Sequence, residues 1–303
     1  MTATHTSVPV DKRPGPAATP TPASRRPVVP GRIWRTTGFH VTAGALSAVW
    51  LLPIVLVLVT STRTFDDIAA HGVGSWPHSF SLDGFRQAWV DGGQQQALIN
   101  SMLVTIPTVL LSLGLASLAA FALSRYDLPF RRSLLLLMLG GNLLPPQILL
   151  IPVSKLSEVL GIYDQLYALI GVQVGFGVGF YVFVLHGFMR AIPGEIQQAA
   201  VIDGAGPWQI YRRIILPLAR PALAALSALS FTWIFNDLLW AITVIRTDTR
   251  MPITASLIGL QGQYVSMWNV IAAGSVIAAA PTVAVFLRFQ RHFVAGLNLG
   301  AVK

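Results

Sequence analysis

The chain has 303 residues, of which 53% are hydrophobic and 11% charged, whereas a soluble domain carries about 25% charged residues. It holds no cysteine, which excludes disulfides, thiolate metal sites and cysteine nucleophiles and leaves the compartment open. A formal charge of +9 raises nucleic acid as a partner, but the basic residues sit in short segments between apolar runs, a pattern that points to a membrane instead.

In chain order, the first 30 residues contain seven prolines among Ser, Thr and Ala. That composition predicts a disordered, cytoplasmic, proline-rich tail over residues 1–35. It does not read as a signal peptide, because the apolar run behind it is too long and no cleavage pattern follows. Uncharged stretches come next: Thr36–Thr62, Gly92–Ser124, Ser133–Ser154, Gln165–Met189 and Met251–Leu287, with Pro221–Ile245 carrying only Asp237. Each is long enough for the roughly 20 residues that cross a bilayer core. Lipid offers no hydrogen bonds, so each span should be helical. The expected fold class is an all-α membrane protein with six transmembrane helices in a domain covering residues 36–303. The spans are expected near residues 38–61, 97–124, 132–154, 165–189, 220–244 and 267–289.

Pro53, Pro107, Pro145, Pro146, Pro152 and Pro281 fall inside these spans and should kink them. Gly171, Gly175 and Gly179 recur every four residues, which predicts a stripe for close helix packing. Gly175, Gly177 and Gly179 do not make a nucleotide loop, since no strand precedes them and no helix N-terminus follows. His186 stands alone near one end of its span and reads as a packing residue rather than a ligand or base.

If the N-terminus is cytoplasmic, sixteen basic residues fall inside: Lys12, Arg13, Arg25, Arg26, Arg32, Arg35, Arg125, Arg131, Arg132, Arg190, Arg212, Arg213, Arg220, Arg288, Arg291 and Lys303. Five fall outside: Arg63, Arg86, Lys155, Arg246 and Arg250. This positive-inside bias puts both termini in the cytoplasm.

The one sizeable inside loop, 190–219, is not composed as a linker. Pro193 and Gly194 open it, and Glu195 lies in the first turn of a short helix, where a negative charge meets the positive dipole end. Ala199, Ala200 and Ile202 give that helix a small apolar surface, and Gly204 breaks it. Pro207 can take the first position of a second helix, apolar through Trp208, Ile210, Ile214, Ile215 and Leu216, with Arg212 and Arg213 turned away and Pro217 at its end. The predicted helix–turn–helix either anchors at the interface or seats its small face in another protein's groove; the alanine pair favours the second.

These residues resemble a known family. Gln198-Ala199-Ala200, Asp203-Gly204-Ala205, Ile214, Leu216 and Pro217 match the spacing of the EAA loop of bacterial ATP-binding-cassette (ABC) importer permeases. Asn100-Ser101, the run Phe235 to Trp240, and Gly296-Leu297 with Gly300 to Lys303 are similar to the carbohydrate-importer branch, relatives of the smaller permease of the maltose transporter. The resemblance covers roughly residues 38–303. The family's first loop residue is usually glutamate; Gln198 can hydrogen-bond but brings no charge.

The resemblance implies a permease subunit for a sugar or oligosaccharide in the bacterial cytoplasmic membrane. It implies a second homologous permease, two ATPase subunits that hold ATP and magnesium, and an extracellular substrate-binding protein or lipoprotein. The contact with the ATPases would run through Glu195, Gln198, Ala199, Ala200, Asp203, Gly204, Ala205, Ile214, Leu216 and Pro217. The chain has no G-x-x-x-x-G-K-[ST] loop, so no Walker-type nucleotide site is expected in it; the permease reading likewise implies no cofactor, metal or catalytic group in this chain. Trp233, Asn236, Asp237 and Trp240 fall at i, i+3, i+4 and i+7 and would share one helix face. An acid at membrane depth is a functional candidate, and with the aromatics it could bind a sugar, though the polar pair could equally serve a subunit interface and the tryptophans an interfacial belt. Gln173, Phe176 and Tyr181 are further cavity candidates. Two other classes remain: an ion-coupled secondary transporter, against which stands the lack of an obvious internal repeat, and an intramembrane enzyme, which would need a nucleophile–base pair or a metal cluster within the spans. Within the importer class, a polyol or glycerol phosphate is the alternative solute.

Overall fold

The computed structural model describes residues 30–261 and 267–301, and side chains over 38–261 and 267–290. The expected tail, residues 1–29 of it, lies outside the described residues, as do Val302 and Lys303. The chain divides into two compact units after Leu52. The helix α1, Pro30–Ser61, begins inside the segment expected as tail. In the first unit its apolar side chains, Phe39, Leu46 and Trp50 among them, are exposed.

In the second unit the chain runs through α2 (Phe65–His71), α3 (Asp83–Arg86), α4 (Gln94–Arg125), α5 (Arg131–Leu143), α6 (Leu150–Val159), α7 (Leu166–Ala191), α8 (Gly194–Ile202), α9 (Pro207–Ile210), α10 (Leu216–Leu218), α11 (Arg220–Phe235), α12 (Leu239–Val244), α13 (Ile253–Gly259) and α14 (Trp268–Ala301). Among the described residues the only β pairing is the single bridge between Arg63 and Phe80. Among the described residues, four helices are long and apolar enough to cross a membrane: the α1 part Gly38–Ser61, then α4, α7 and the α14 part Trp268–Gln290. Two bent pairs would bring the number to six if each is one span.

The third expected span is the first bent pair, with Arg131–Leu143 and Pro146–Val159 meeting at 87°. The cause is the tandem Pro145-Pro146: neither proline donates a backbone N–H, and Leu144 is driven to an extended ψ of 132° by the ring that follows it. The fifth expected span also departs from a single helix. It stops at Phe235 and resumes at Leu239. Two side chains compete with the backbone there: Asn236 Nδ2 donates to the Thr232 carbonyl at 2.9 Å, and the Asp237 carboxylate accepts the Trp240 amide at 3.2 Å. Asn and Asp offer such local alternatives to helix bonds.

The core lies where α4 runs along α7. Ala116 and Ala120 of α4 are wholly buried, and their small size lets the axes approach. Phe121, Val182, Leu185 and Met189 fill the space towards α8 and α9. The glycine stripe serves close packing at one of its three positions. A methyl on Gly179 would lie 2.8 Å from the Met138 carbonyl oxygen of α5, whereas one on Gly171 or Gly175 would meet nothing within 4 Å. Those two glycines border a cavity of about 370 Å³ that Val153, Leu156 and Phe176 also line.

Candidate functional site: the loop 192–217 and the surroundings of Asp237

The loop is built on the ends of α4 and α7. Arg125 closes α4, and its guanidinium donates to the Met189 and Ile192 carbonyls at 2.7 and 3.2 Å. It thereby satisfies acceptors that the end of α7 leaves without partners. After Pro193 the chain enters α8 with Glu195 in the first turn. The helix closes when the amides of Asp203 and Ala205 reach back to the Ala199 and Ala200 carbonyls at 3.0 and 2.9 Å. Gly204 makes the turn at φ 79°, in the left-handed region that a β-carbon disfavours. Pro207 takes the first turn of α9, where its missing N–H costs nothing, and Gln209 Oε1 accepts the Gly206 amide at 3.1 Å.

Pro217 does not end the second helix, as the sequence predicts. The chain passes through a π-turn, Tyr211–Ile215, into α10, where Pro217 lies in the first turn. It then bends by 71° into α11. The alanine pair splits as well. Ala200 is 8% exposed and packs into the chain's own core with Ile210, Tyr211 and Ile215, while Ala199 faces out. The Tyr211 hydroxyl lies 2.7 Å from Ser117 Oγ of α4 inside the core. Glu195, Gln198, Asp203, Gly204, Arg212 and Arg213 are exposed, Ala205, Ile214, Leu216 and Pro217 half-buried. Exposed apolar groups stand among them, Ile202 at 85% and Trp208 at 60%. The loop thus has an inner side continuous with α4 and α7 and an outer side of mixed polar and apolar groups. A load applied to the outer side would be carried into those two helices.

Around Asp237 the residues diverge rather than share one face, because the helix breaks between them. Asp237 turns to α7, where its Oδ2 accepts Gln173 Nε2 at 3.2 Å. Asn236 turns to α14, where its Nδ2 donates to Thr282 Oγ1 at 3.3 Å. The aromatics stack across to α7: Phe176 on Trp240 with centroids 4.8 Å apart, and Phe180 on Trp233 at 5.4 Å. Trp240, Tyr181 and Gln173 are buried and Trp233 exposed. Gln173 Oε1 is buried with no hydrogen-bond partner, an acceptor free for a hydroxyl donor. The structure therefore brings Gln173, Phe176, Asp237 and Trp240 together and leaves Tyr181 in the core. His186 is buried near the C-terminal end of α7.

Asn100 and Ser101 act as ties. Asn100 Nδ2 donates to the Thr249 and Met251 carbonyls at 2.9 and 3.1 Å, and Ser101 Oγ accepts the Ile253 amide at 2.8 Å. A second tie was not read from the sequence. Asp164, at φ 60°, accepts the Arg246 and Thr247 amides at 2.8 and 2.9 Å and the Thr247 hydroxyl at 2.6 Å. Arg250 donates to its carbonyl at 2.7 Å. The Thr247 hydroxyl, then the two amides, hold the Asp164 carboxyl down at about 2. A lone Asp beyond a Gly-containing turn was the available signal, since Asp tolerates the left-handed region.

Comparison with known proteins gives the same outline. Residues 98–298 match the model of the family described as binding-protein-dependent transport system inner membrane component. The probable ABC transporter permease protein YurM of Bacillus subtilis is 30% identical, over 83% of each chain. The melibiose/raffinose/stachyose import permease protein MelC of Bacillus subtilis is 29% identical, over 86% of this chain and 94% of that one. A crystal structure of a bacterial ABC transporter involved in the import of the acidic polysaccharide alginate contains a chain of like fold. It has a TM-score of 0.75, at 22% identity over 91% of this chain and 100% of that one. With two thirds of its length matched by one family model and its long apolar helices in place, the chain belongs to the family of binding-protein-dependent transport system inner membrane components, as a multi-pass membrane protein.

Proposed function

We propose that this chain is one permease subunit of an ATP-driven importer, forms half of the path for a sugar or oligosaccharide, and takes its driving force from separate ATPase subunits through the loop 192–217. The observation that carries the reading is the two-sided construction of that loop. Its inner side, Ala200, Ile210, Tyr211 and Ile215, belongs to the α4–α7 core. Its outer side, Glu195, Gln198, Ala199, Ile202, Asp203 and Trp208, is exposed. An interfacial anchor has no need of exposed acids beside its apolar groups.

On this reading six spans cross the membrane, namely α1, α4, the bent pair of α5 and α6, α7, α11 continued by α12, and α14, with both termini and the loop in the cytoplasm. A second permease completes the path, two ATPases bind ATP and magnesium, and an external binding protein delivers the solute. Gln173, Phe176, Asp237 and Trp240 face the path with Trp233 and Asn236 beside them. Stacked aromatic rings offer flat apolar surfaces to a sugar ring, and the amide and carboxylate offer acceptors for its hydroxyls. The relative MelC, by its name an import permease for melibiose, raffinose and stachyose, supports carbohydrate as the class.

The test is uptake of a panel of labelled mono- and oligosaccharides by cells expressing the chain with its neighbouring transport genes, beside a pull-down of the ATPase. Sugar uptake that requires both this chain and the ATPase is the expected result. Uptake of polyols or glycerol phosphate in place of every sugar would overturn the substrate class, and uptake independent of the ATPase would overturn the importer reading.

A further inference from the structure

The most highly organised polar cluster away from the loop and Asp237 lies in residues 63–80. Arg63 is fully buried, and its guanidinium is satisfied on all sides. Nε donates to Asp67 Oδ2 at 2.7 Å. One terminal nitrogen donates to the Gly72, Val73 and Ser75 carbonyls at 3.1, 3.2 and 3.2 Å, and the other to Ser75 Oγ at 2.9 Å. One cation therefore ties α2 to the turn that follows it. The His78 amide also donates to Asp67 Oδ2, at 3.2 Å.

These bonds use one carboxylate oxygen and leave the other. Asp67 Oδ1 faces His71 Nδ1 at 3.1 Å and His78 Nδ1 at 3.4 Å. His71 is one helical turn beyond Asp67, so both lie on one face of α2. His78 comes back to the same place through the turn at Gly72, whose φ is 84°. The two rings stack with centroids 4.2 Å apart and stay partly open to solvent, at 46% and 59% exposure, while the Asp67 side chain is 2% exposed. The Arg63 guanidinium and the His78 amide hold Oδ2 and leave Oδ1 turned to the two rings.

We propose that Asp67, His71 and His78 form a binding site for a zinc-class divalent ion, with Asp67 Oδ1 and the two Nδ1 atoms as ligands. The three ligand atoms all lie within 4.8 Å of one another. Zinc bonds of about 2.0–2.1 Å in a tetrahedron put neighbouring ligand atoms about 3.3–3.4 Å apart. The Oδ1–Nδ1 separations of 3.1 and 3.4 Å need little adjustment to fit, and a small opening of the stacked rings admits the ion. Two imidazoles and one carboxylate suit zinc, nickel or copper rather than calcium or magnesium, which take oxygen ligands. The fourth position faces solvent beside the exposed rings. Arg63 and the His78 amide are the outer partners that fix the carboxylate, as metal sites require. The positive charge of Arg63 opposes the ion, so the site exchanges its metal rather than holding it permanently. This inference does not depend on the importer reading.

The alternative occupant of the same geometry is two ring protons shared with the carboxylate, and zinc titration separates the two. The full chain, carrying an affinity tag without histidine, is purified in detergent, stripped with EDTA, dialysed and titrated with zinc chloride by calorimetry and metal analysis. One zinc per chain is expected. His71→Ala and His78→Ala should each weaken binding at least tenfold, with His40→Ala unchanged. A wild-type chain that binds no zinc saturably overturns the proposal, as does a His71→Ala, His78→Ala double variant that binds as well as wild type. If the variants aggregate, cobalt bound to the wild-type chain decides: the intense visible bands of a four-coordinate ion support the site, and the weak bands of a six-coordinate ion overturn it.

Discussion

One carboxylate oxygen of Asp237, Oδ2, accepts from both the Gln173 side-chain amide of α7 and the Trp240 backbone amide in the first turn of α12. Removing it leaves both donors in apolar surroundings, at a cost of about 1–3 kcal/mol for each buried group without a partner. Asp237→Ala should therefore lower solute uptake while the assembled complex still hydrolyses ATP, read by paired uptake and phosphate-release assays. Asp237→Asn keeps an acceptor for both donors and should fall between the two; unchanged uptake by the alanine variant at normal abundance would remove the residue from the path. Asp164 makes a different kind of prediction. Its folded-state value of about 2 lies below the ordinary carboxylate value of about 3.9, so the native state favours the anion. The stability it supplies is fully present above about pH 4 and is lost as the pH falls through 2. Asp164→Ala should lower the thermal unfolding midpoint of the detergent-purified chain near neutral pH, and the gap to wild type should narrow between pH 4 and 2. A gap that stays constant over that interval would mean that the charge plays no part.

At the scale of elements, α8 shows what periodicity can and cannot decide. The sequence places a short helix between Pro193 and Gly204, and the structure has it there. Its rotation about its own axis depends on Tyr211, Ile215 and α4, residues it meets only in three dimensions, and so the alanine that faces outward is not legible locally. The distinction has consequences. Ala200→Trp overpacks the chain's own core, typically at about 1–3 kcal/mol, and should reduce the amount of chain in the membrane. Ala199→Trp should leave abundance unchanged and reduce co-purifying ATPase by roughly fivefold to over a hundredfold, taking the same 1–3 kcal/mol at about 1.4 kcal/mol per factor of ten. Quantitative blots of the membrane fraction and the pull-down read the two effects; full ATPase retention in Ala199→Trp would reduce the loop to an anchor. The two interrupted helical segments, at residues 144–146 and 236–238, teach the same lesson with opposite legibility. Pro145-Pro146 announces a break in the sequence, whereas Asn236-Asp237 breaks its helix through side-chain bonds to the Thr232 carbonyl and the Trp240 amide, which hydropathy does not register.

For the whole molecule, composition and charge distribution carry most of the outline. Uncharged runs locate the long helices α4 and α7 within a few residues, since the hydrocarbon admits little else. The sixteen-to-five distribution of basic residues carries the proposed orientation. Reporter fusions near residues 80 and 258 should read as external and those near 128 and 205 as cytoplasmic; an external signal at 205 would take the ATPase contact away. The polar ties Asn100 and Asp164 escape this outline because their partners lie 149–151 and 82–86 residues distant in sequence. The break at residues 236–238 also bears on biogenesis. A carboxylate in a nascent span raises the free energy of leaving the translocon, by about 2.5–3.5 kcal/mol at the span's centre and less towards its ends, and on the proposed topology α11 with α12 meet part of that cost. Gln173, the side chain that receives Asp237, is made 64 residues earlier, so on the proposed topology α7 precedes the acidic segment into the bilayer. For Asp237, unlike Asn100 and Asp164, the partner side chain is thus made first, and on the proposed topology α7 is in position to receive the acid as α11 and α12 enter the bilayer.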